Sequence, residues 1–355
     1  MGNVTFLVTG AGAPGIKGTL HSLKNNFDGR KVRIIGTDVN EEVIGKYLCD
    51  GFYRVPRAED PSFIQAIEEI CRQERVEVIL PQVTAELSKL AESKSKFEEI
   101  GTSIAISSSR SIELSNNKYN LMKFAEELGL PVAKFFLVND SSSLRDKAEE
   151  LGFPEKSVVV KPPVSRGMRG LRILDDGIDL KEGFYSKKPD NVNIRLCDLE
   201  KILGQEFPPL LLTEYLPGVE YSIDLLAGGS LKEPLIIPRT RDLVRTGITF
   251  NGTVERNEEI IDQCRRLAKE LKMEYAFGFQ MKLDEKGHPK LLECNPRIQG
   301  TMVLATLAGA NIIYGAAKLA LGEDLPDFEV RWGTRLMRYW GGIGVLNGKK
   351  TDEIQ

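Results

Sequence analysis

Histidine is almost missing from this chain. Only His21 and His288 occur among 355 residues, which disfavours a histidine-based zinc site and a Ser-His-Asp nucleophile. Cysteine is sparse as well. Cys49, Cys71, Cys197, Cys264 and Cys294 are scattered, odd in number and form no Cys-x-x-Cys pair, the usage expected of thiols in a reducing cytoplasm. Neither sign of charge dominates: the net charge of −3 offers no electrostatic attraction for nucleic acid or an anionic membrane. Repeats, low-complexity tracts and Pro/Ser-rich linkers are lacking too. The opening MGNVTFLVTG has no basic region or cleavage site and reads as a first strand rather than a signal peptide. The one long apolar run, 302–322, contains Asn311, Lys318 and several Gly and Ala, so a buried helix is expected there rather than a membrane span.

Charged residues make up 28% and hydrophobic residues 41%, an ordinary globular balance able to fill two or three domain cores. Through the first 110 residues, strand-like and helix-like segments alternate. VTFLVTG, KVRIIGTD, GFYRVP, VEVILP and SIAIS read as strands, and the segments around 16–26, 61–74 and 85–97 as helices. Such alternation predicts a parallel α/β sheet. The polar stretch 107–117 is expected to mark a boundary. Beyond it come the helix NKYNLMKFAEELGL, the strands AKFFLV and SVVVKPP with a helix between them, then LLLTEYL, YSIDLLAG and PLIIPRT, and the helix NEEIIDQCRRLAKELK.

Near the C-terminal third, GFQMKL (278–283) and LLECNPR (291–297) flank DEKGHPK, a hairpin turn signal. Side chains alternate along a strand. Gln280 and Lys282 therefore share one face, and Leu291, Glu293 and Asn295 share one face of the partner strand. Phe279, Met281, Leu283, Leu292 and Cys294 take the opposite, apolar face. Three oxygen-bearing side chains able to converge suit Mg²⁺, which prefers oxygen ligands and keeps one or two carboxylates plus phosphate oxygens. The same spacing also fits a solvated hairpin face.

Two further constellations carry charge or glycine. Gly10, Gly12 and Gly15 spell G-x-G-x-x-G after the first strand, with Asp38 after the second, the fingerprint of a dinucleotide site. This supports an NAD(P)-dependent oxidoreductase as a rival reading, although any close strand-to-helix turn selects glycine. Arg239, Arg241 and Arg245 crowd one segment with only Asp242 nearby in sequence. They could fork onto a carboxylate or acyl phosphate or form a solvated basic loop.

The Gln followed, after a turn, by Glu-x-Asn-Pro-Arg resembles the metal site of ATP-grasp enzymes, closest to the branch of the carbamoyl-phosphate synthetase large chain. The resemblance covers roughly 113–300, more loosely what precedes. It implies two Mg²⁺ ions, with Mn²⁺ able to substitute, on Gln280, Glu293 and Asn295, and Arg297 stabilising the transferring phosphoryl group. It also implies that Lys161 and Lys118 touch ATP phosphates, and that the loop SRGMRG, with Arg166 and Gly167, closes over them. Glu214, Tyr215 and Leu216 would meet the adenine edge, and Glu220 the ribose. Arg239, Arg245 and Gly12 are the candidates for substrate contacts.

The expected fold is a Rossmann-like α/β pre-ATP-grasp domain, 1–112, followed by an ATP-grasp domain, 113–355. The latter comprises two α+β subdomains, about 113–212 and 213–355, that trap Mg-ATP. The expected activity is ADP-forming carboxylate-amine ligation through an acyl phosphate, in the cytoplasm, on small-molecule carboxylate and amine substrates, with a homodimer as a candidate assembly. The alternatives are carbamoyl-phosphate-type phosphorylation of bicarbonate or carbamate, the NAD(P)-dependent oxidoreductase, and a non-catalytic nucleotide-binding module.

Overall fold

The computed structural model describes residues 3–165, 167–186, 192–245 and 247–354. It divides into two compact units. The first comprises 1–115, 220–280 and 294–355, and the second 116–219 and 281–293.

The first unit begins with the strands β1 (Val4–Thr9), β2 (Val32–Asp38), β3 (Gly51–Arg54), β4 (Val78–Leu80) and β5 (Ser103–Ile104). They form a parallel sheet ordered β3-β2-β1-β4-β5, as the alternating segments predict. The centre of β1 and β2 is buried on both faces. Val4, Phe6, Val8 and Ile34 join one apolar cluster, and Leu7, Ile35, Phe63, Ile67 and Ile79 another. Complete burial of such side chains contributes about 1.5–3 kcal/mol each. The loop after β1 then leads into the helix Ile16–Lys24. The polar stretch expected to mark a boundary forms the helix Ser109–Asn116, and the two units part after Ser115 within it. It is tied down by Ser111 Oγ donating to Lys272 O at 3.2 Å, while Ser107 Oγ donates to Glu274 O at 3.0 Å.

The second unit holds β6 (Phe135–Asp140), β7 (Val158–Lys161), β8 (Arg172–Leu174), β9 (Asn193–Ile194) and β10 (Glu206–Glu214), ordered β6-β10-β7-β8-β9. Strand β10 pairs antiparallel with both β6 and β7. The helix Ser141–Glu150 links β6 to β7 and is capped by Asp140, whose side chain accepts from Ser143 N. Such a cap satisfies one of the orphan donors at a helix start. Val138, Leu144, Ala148, Val158, Val160 and Leu212 form the core of this unit.

The remaining strands are β11 (Glu220–Ala227), β12 (Leu235–Thr240), β13 (Leu243–Arg245), β14 (Ile248–Thr253), β15 (Tyr275–Leu283), β16 (Pro289–Asn295), β17 (Arg335–Met337), β18 (Gly342–Leu346) and β19 (Lys349–Ile354). One sheet runs β12-β11-β15-β16, a second β13-β14-β17, and β18-β19 is a hairpin. The turn between β15 and β16 is set by Asp284, whose Oδ1 accepts from Lys286 N and His288 N, with Gly287 at φ +84°. The apolar run 302–322 is not one helix. It forms Val303–Leu307 and Ile312–Ala320, because Gly309 turns to φ +96° and Asn311 caps the second helix through Tyr314 N. No described helix is long and apolar enough to cross a membrane.

Candidate nucleotide and metal site

In the hairpin the alternation holds where it matters. Gln280, Glu293 and Asn295 are each half-buried, whereas Phe279, Met281 and Cys294 are buried. Three leucines depart from strict parity, Leu283 being only half-buried on the apolar face. Leu291 is buried despite sharing the face of Glu293, because it bridges to Val132 within the second unit. Leu292 is half-buried and packs beside the cluster of Met122, Ala133, Leu211 and Leu216.

Two of the hairpin candidates meet other candidates. Within the second unit, Lys118 Nζ lies 3.4 Å from Glu293 Oε2. Within the first unit, Arg297 Nη2 donates to Asn295 Oδ1 at 3.3 Å, its Nε to Thr84 Oγ1 at 3.0 Å and its Nη1 to Ile298 O at 2.9 Å. The guanidinium thus spans a side-chain amide, a hydroxyl and a carbonyl, the fork geometry that arginine offers.

Lys118 sits at the start of the helix Lys118–Glu127, where Asn117 caps by accepting from Tyr119 N and Asn120 N. It is not an exposed helix-start residue: only 6% of it is accessible. Its backbone N–H donates to Pro163 O, and its Nζ to Ser165 Oγ at 3.2 Å. Lys161, at the end of β7, is equally buried. Two ammonium groups are thus buried in one small unit, where a buried charge needs a paired or hydrogen-bonded setting, which Glu293 and Ser165 give Lys118. In the adjoining loop Gly167 has φ +60° and Gly170 φ +76°. A side chain at Gly170 would meet Pro162 Cδ at 2.7 Å. Arg166 lies outside the described residues.

Glu214 ends β10, and its Oε1 accepts from Lys134 N at 2.9 Å. Tyr215 is partly exposed, with Lys282 Nζ 4.7 Å from its ring centroid, and Leu216 is buried. Glu220 Oε1 lies 2.7 Å from Arg241 Nε, and that guanidinium also donates to Ser222 Oγ, Thr249 Oγ1 and Gly247 O.

The three arginines do not form one basic loop. Arg239 is fully buried, forking onto Asp224 with Nε to Oδ2 at 2.7 Å and Nη2 to Oδ1 at 3.2 Å. Burial raises the pKa of the Asp224 carboxyl, while Arg239 pulls it down. Arg245 is exposed and stacks on aromatic rings, its Cζ 5.0 Å from the Phe250 centroid and 5.9 Å from that of Trp340. Asp242 is the only acid near these arginines in sequence, but their acidic partners come from elsewhere in the chain. Asp224 and Glu220 come from β11, which pairs antiparallel with β12, and sequence distance hides such cross-strand partners.

Arg338 went unnoticed in the sequence. Its Nη2 donates to Gly300 O at 2.9 Å and its backbone N–H to Phe250 O, while its buried Nε has no partner among the described residues. Nη1 of Arg239 is likewise buried without a partner among the described residues. Burial, followed by the like charge of Arg239, lowers the pKa of Arg338. Buried donors without an acceptor are rare in native proteins and call for an ion or water. No sequence pattern marks residue 338; only its cross-strand setting does.

The glycines of the first loop each have a packing reason. Gly10 adopts φ +64°. A Cβ on Gly12 would meet Val43 Cγ1 at 2.7 Å, and one on Gly15 would meet Gly300 Cα at 2.5 Å. Asp38 turns inward, its Oδ2 accepting from Gly12 N and its Oδ1 from Asn40 N.

Residues 206–338 match the family model described as ATP-grasp in the biosynthetic pathway with Ter operon, and residues 6–105 match that of the PylC-like N-terminal domain. The carbamoyl phosphate synthase large chain of Clostridium acetobutylicum is 22% identical over 278 residues, 75% of this chain and 24% of that one. The arginine-specific large chain of Bacillus subtilis is 23% identical over 282 residues, covering 76% and 25%. This chain thus spans about a quarter of the length of these relatives. Among solved structures, N5-carboxyaminoimidazole synthetase from Staphylococcus aureus complexed with ADP superposes with TM-score 0.66 at 17% identity, covering 92% of this chain and 80% of the other. The biotin carboxylase–βγ-ATP complex from Campylobacter jejuni gives 0.66 at 17%, covering 92% and 73%. Those likenesses fix the fold. The chain carries an ATP-grasp domain behind a parallel α/β N-terminal domain and is homologous to the carbamoyl phosphate synthase large chain.

Proposed function

We propose that this protein is an ADP-forming carboxylate-amine ligase acting on small molecules. The observation that carries the reading is the hairpin residue set, in which Lys118 pairs with Glu293 and Arg297 pairs with Asn295. The donors fit Mg²⁺ on chemistry: two side-chain amide oxygens and a single carboxylate, all half-buried, leave room for phosphate oxygens. Two bound ions, with Mn²⁺ as a substitute, would supply charge neutralisation at the triphosphate.

Lys118 and Lys161 hold the ATP phosphates, and the loop carrying Arg166 and Gly167 covers them. The peptide groups of Glu214, Tyr215 and Leu216 meet the adenine, and Glu220 accepts from the ribose hydroxyls. A carboxylate oxygen of the substrate attacks the γ-phosphorus, the bond to the ADP oxygen breaks, and an acyl phosphate forms. Arg297 stabilises the charge that shifts during that transfer, because such catalysis is chiefly positioning and electrostatics. An amine then attacks the acyl carbon, phosphate leaves and the amine loses its proton. Arg338, whose Nε has no partner among the described residues, anchors the substrate carboxylate, and Arg239 adds positive potential behind it. Arg245 borders the same substrate, with Gly12 on the facing loop.

The boundary near residue 113 is proposed to separate the pre-ATP-grasp domain from the ATP-grasp domain, itself divided near 213. Cys49, Cys71, Cys197, Cys264 and Cys294 form no disulfide, which supports a cytoplasmic setting. A homodimer is the assembly proposed. Carbamoyl-phosphate-type chemistry is the second reading, favoured by the two large chains named above.

The test is ADP release with Mg-ATP over a panel of carboxylates, with hydroxylamine trapping any acyl phosphate as a hydroxamate. Hydroxamate formed from one carboxylate class supports the ligase. ADP release with bicarbonate alone would favour the second reading. Calorimetric binding of NAD(P) without binding of Mg-ATP would overturn both.

A further inference from the structure

Beside Arg338, within the first unit, lies an aromatic surface that the proposed reaction does not yet use. Side chains of β14 alternate, so Ile248 and Phe250 share a face. A Cβ placed on Gly300 would lie 2.9 Å from Ile248 Cδ1, and Gly300 O accepts from Arg338 Nη2. The same face therefore carries Ile248, Phe250 and the approach to Arg338. The Phe250 ring meets Trp340 at 4.9 Å with an interplanar angle of 53°. Arg245 completes the stack over both rings. Phe250 is buried, yet Trp340 remains 70% exposed, so one face of the indole is covered and the other is open.

A large open indole held in place by a ring and a guanidinium is unusual for surface packing. Water solvates it poorly, and its support fixes it in one orientation, which favours a planar ligand. Two residues before Trp340 in the chain is the Arg338 guanidinium, whose buried Nε has no partner among the described residues. A ligand matching both features is flat and apolar at one end and carries an anion at the other.

Resting on the ligase reading, we propose that Trp340, Phe250 and Arg245 select the body of the carboxylate substrate, and that this substrate is an aromatic monocarboxylate. Its ring stacks on the open face of Trp340 and its carboxylate points to Arg338. Arg245 acts by holding the two protein rings together and enriching their cationic edge, which favours an electron-rich ring. A dicarboxylate would leave its second charged group against the indole, where it gains nothing.

The experiment compares phenylacetate and indole-3-acetate with acetate and succinate in the Mg-ATP and hydroxylamine assay, for wild type and Trp340→Ala. Mg-ATP affinity is followed by calorimetry in both. Expected is a preference for the aromatic acids in wild type, and a rise in their KM of about tenfold in Trp340→Ala, the scale of a lost stacking contact plus its buried area. Mg-ATP affinity should stay within about twofold, because no nucleotide residue is touched. As a binding readout, the Trp332→Phe background leaves Trp340 as the sole indole, and phenylacetate should shift its emission while acetate does not. Turnover of aliphatic acids as efficient as that of aromatic ones, or equal discrimination in Trp340→Ala, overturns the inference while leaving the ligase intact. Failure of every carboxylate together with absent Mg-ATP binding overturns both. Emission of Trp340 that changes with protein concentration alone would assign the indole to contact with a second copy and remove it from the substrate.

Discussion

Lys118 Nζ stands 3.4 Å from Glu293 Oε2, with the lysine side chain 8% and the glutamate side chain 26% accessible. The residue proposed for phosphate and the residue proposed for metal therefore neutralise each other in the second unit. A pair so shielded resists salt more than a surface pair does. Binding of Mg-ATP would offer both partners better company, phosphate for the ammonium and metal for the carboxylate.

From that pairing, Glu293→Ala should cost more than a lost ligand, because it also leaves Lys118 buried without its counter-charge. ADP release is expected to fall by about 10²-fold or more, as for loss of a preorganised electrostatic group, with a melting temperature lowered by a few degrees. Gln280→Ala should be milder, since a neutral amide binds a cation less strongly. Parallel measurement of turnover and thermal unfolding decides the matter, and near-wild-type turnover of Glu293→Ala would remove it from the metal set.

Arg297 combines two roles that mutation can separate. Its three donors to Asn295, Thr84 and Ile298 make it a structural tie as well as a candidate for transition-state stabilisation. Arg297→Met should lower kcat by about 10²-fold and also reduce stability, because Asn295 and Thr84 lose a charged partner. Thr84→Val removes a single hydrogen bond worth about 1 kcal/mol and leaves the guanidinium in place. If Thr84→Val damages kcat as severely as Arg297→Met, orientation rather than charge is the contribution of Arg297.

Hydrophobic alternation carried much of this fold into the sequence. Strands β1 to β4 and the β15–β16 hairpin were legible because their apolar runs end at glycine, proline or aspartate signals. The run 302–322 misled because its composition is apolar throughout, while the break depends on one positive φ at Gly309 and one cap from Asn311. The arginine segment misled for another reason. Its partners Asp224 and Glu220 lie on a neighbouring strand, and pairing register is not written in local sequence. Arg338 was invisible for the same cause, being defined by Gly300 and Phe250.

The glycine loop yields a prediction that bears on the dinucleotide fingerprint. A methyl group at Gly15 would face the backbone of Gly300 at 2.5 Å, whereas one at Gly12 would face the Val43 side chain at 2.7 Å. Backbone yields less readily than a valine rotamer. Gly15→Ala should therefore destabilise by about 1–3 kcal/mol, the usual scale of overpacking, and Gly12→Ala by less. Neither should weaken Mg-ATP by more than about threefold, since on the ligase reading the loop holds no nucleotide. Chemical unfolding and calorimetry test both statements, and loss of NAD(P) binding in Gly12→Ala would restore the rival reading.

The buried pair of Asp224 and Arg239 makes the sharpest stability forecast. Their side chains are 0% and 1% accessible, so neither can turn to water when its partner is removed. Asp224→Asn keeps the shape and strands the guanidinium, a change expected to cost about 3–5 kcal/mol. Arg239→Met strands the carboxylate instead, but a carboxylate can escape by binding a proton. Burial already raises the pKa of Asp224, and loss of the opposing arginine raises it further. A folded-state pKa above the unfolded value makes stability greatest at low pH and diminishes it as pH rises through the folded pKa. Arg239→Met should thus be more stable near about pH 5 than near about pH 8, whereas Asp224→Asn should show no such gain from this site. Replacing both, Asp224→Leu with Arg239→Met, should recover most of the loss, because well-packed apolar groups often equal a buried ion pair. Urea denaturation of the three variants at the two pH values checks this. Loss of no more than about 1 kcal/mol in Asp224→Asn would show that the interior relaxes enough to hydrate Arg239, and the pair would then count for little in holding β11 to β12.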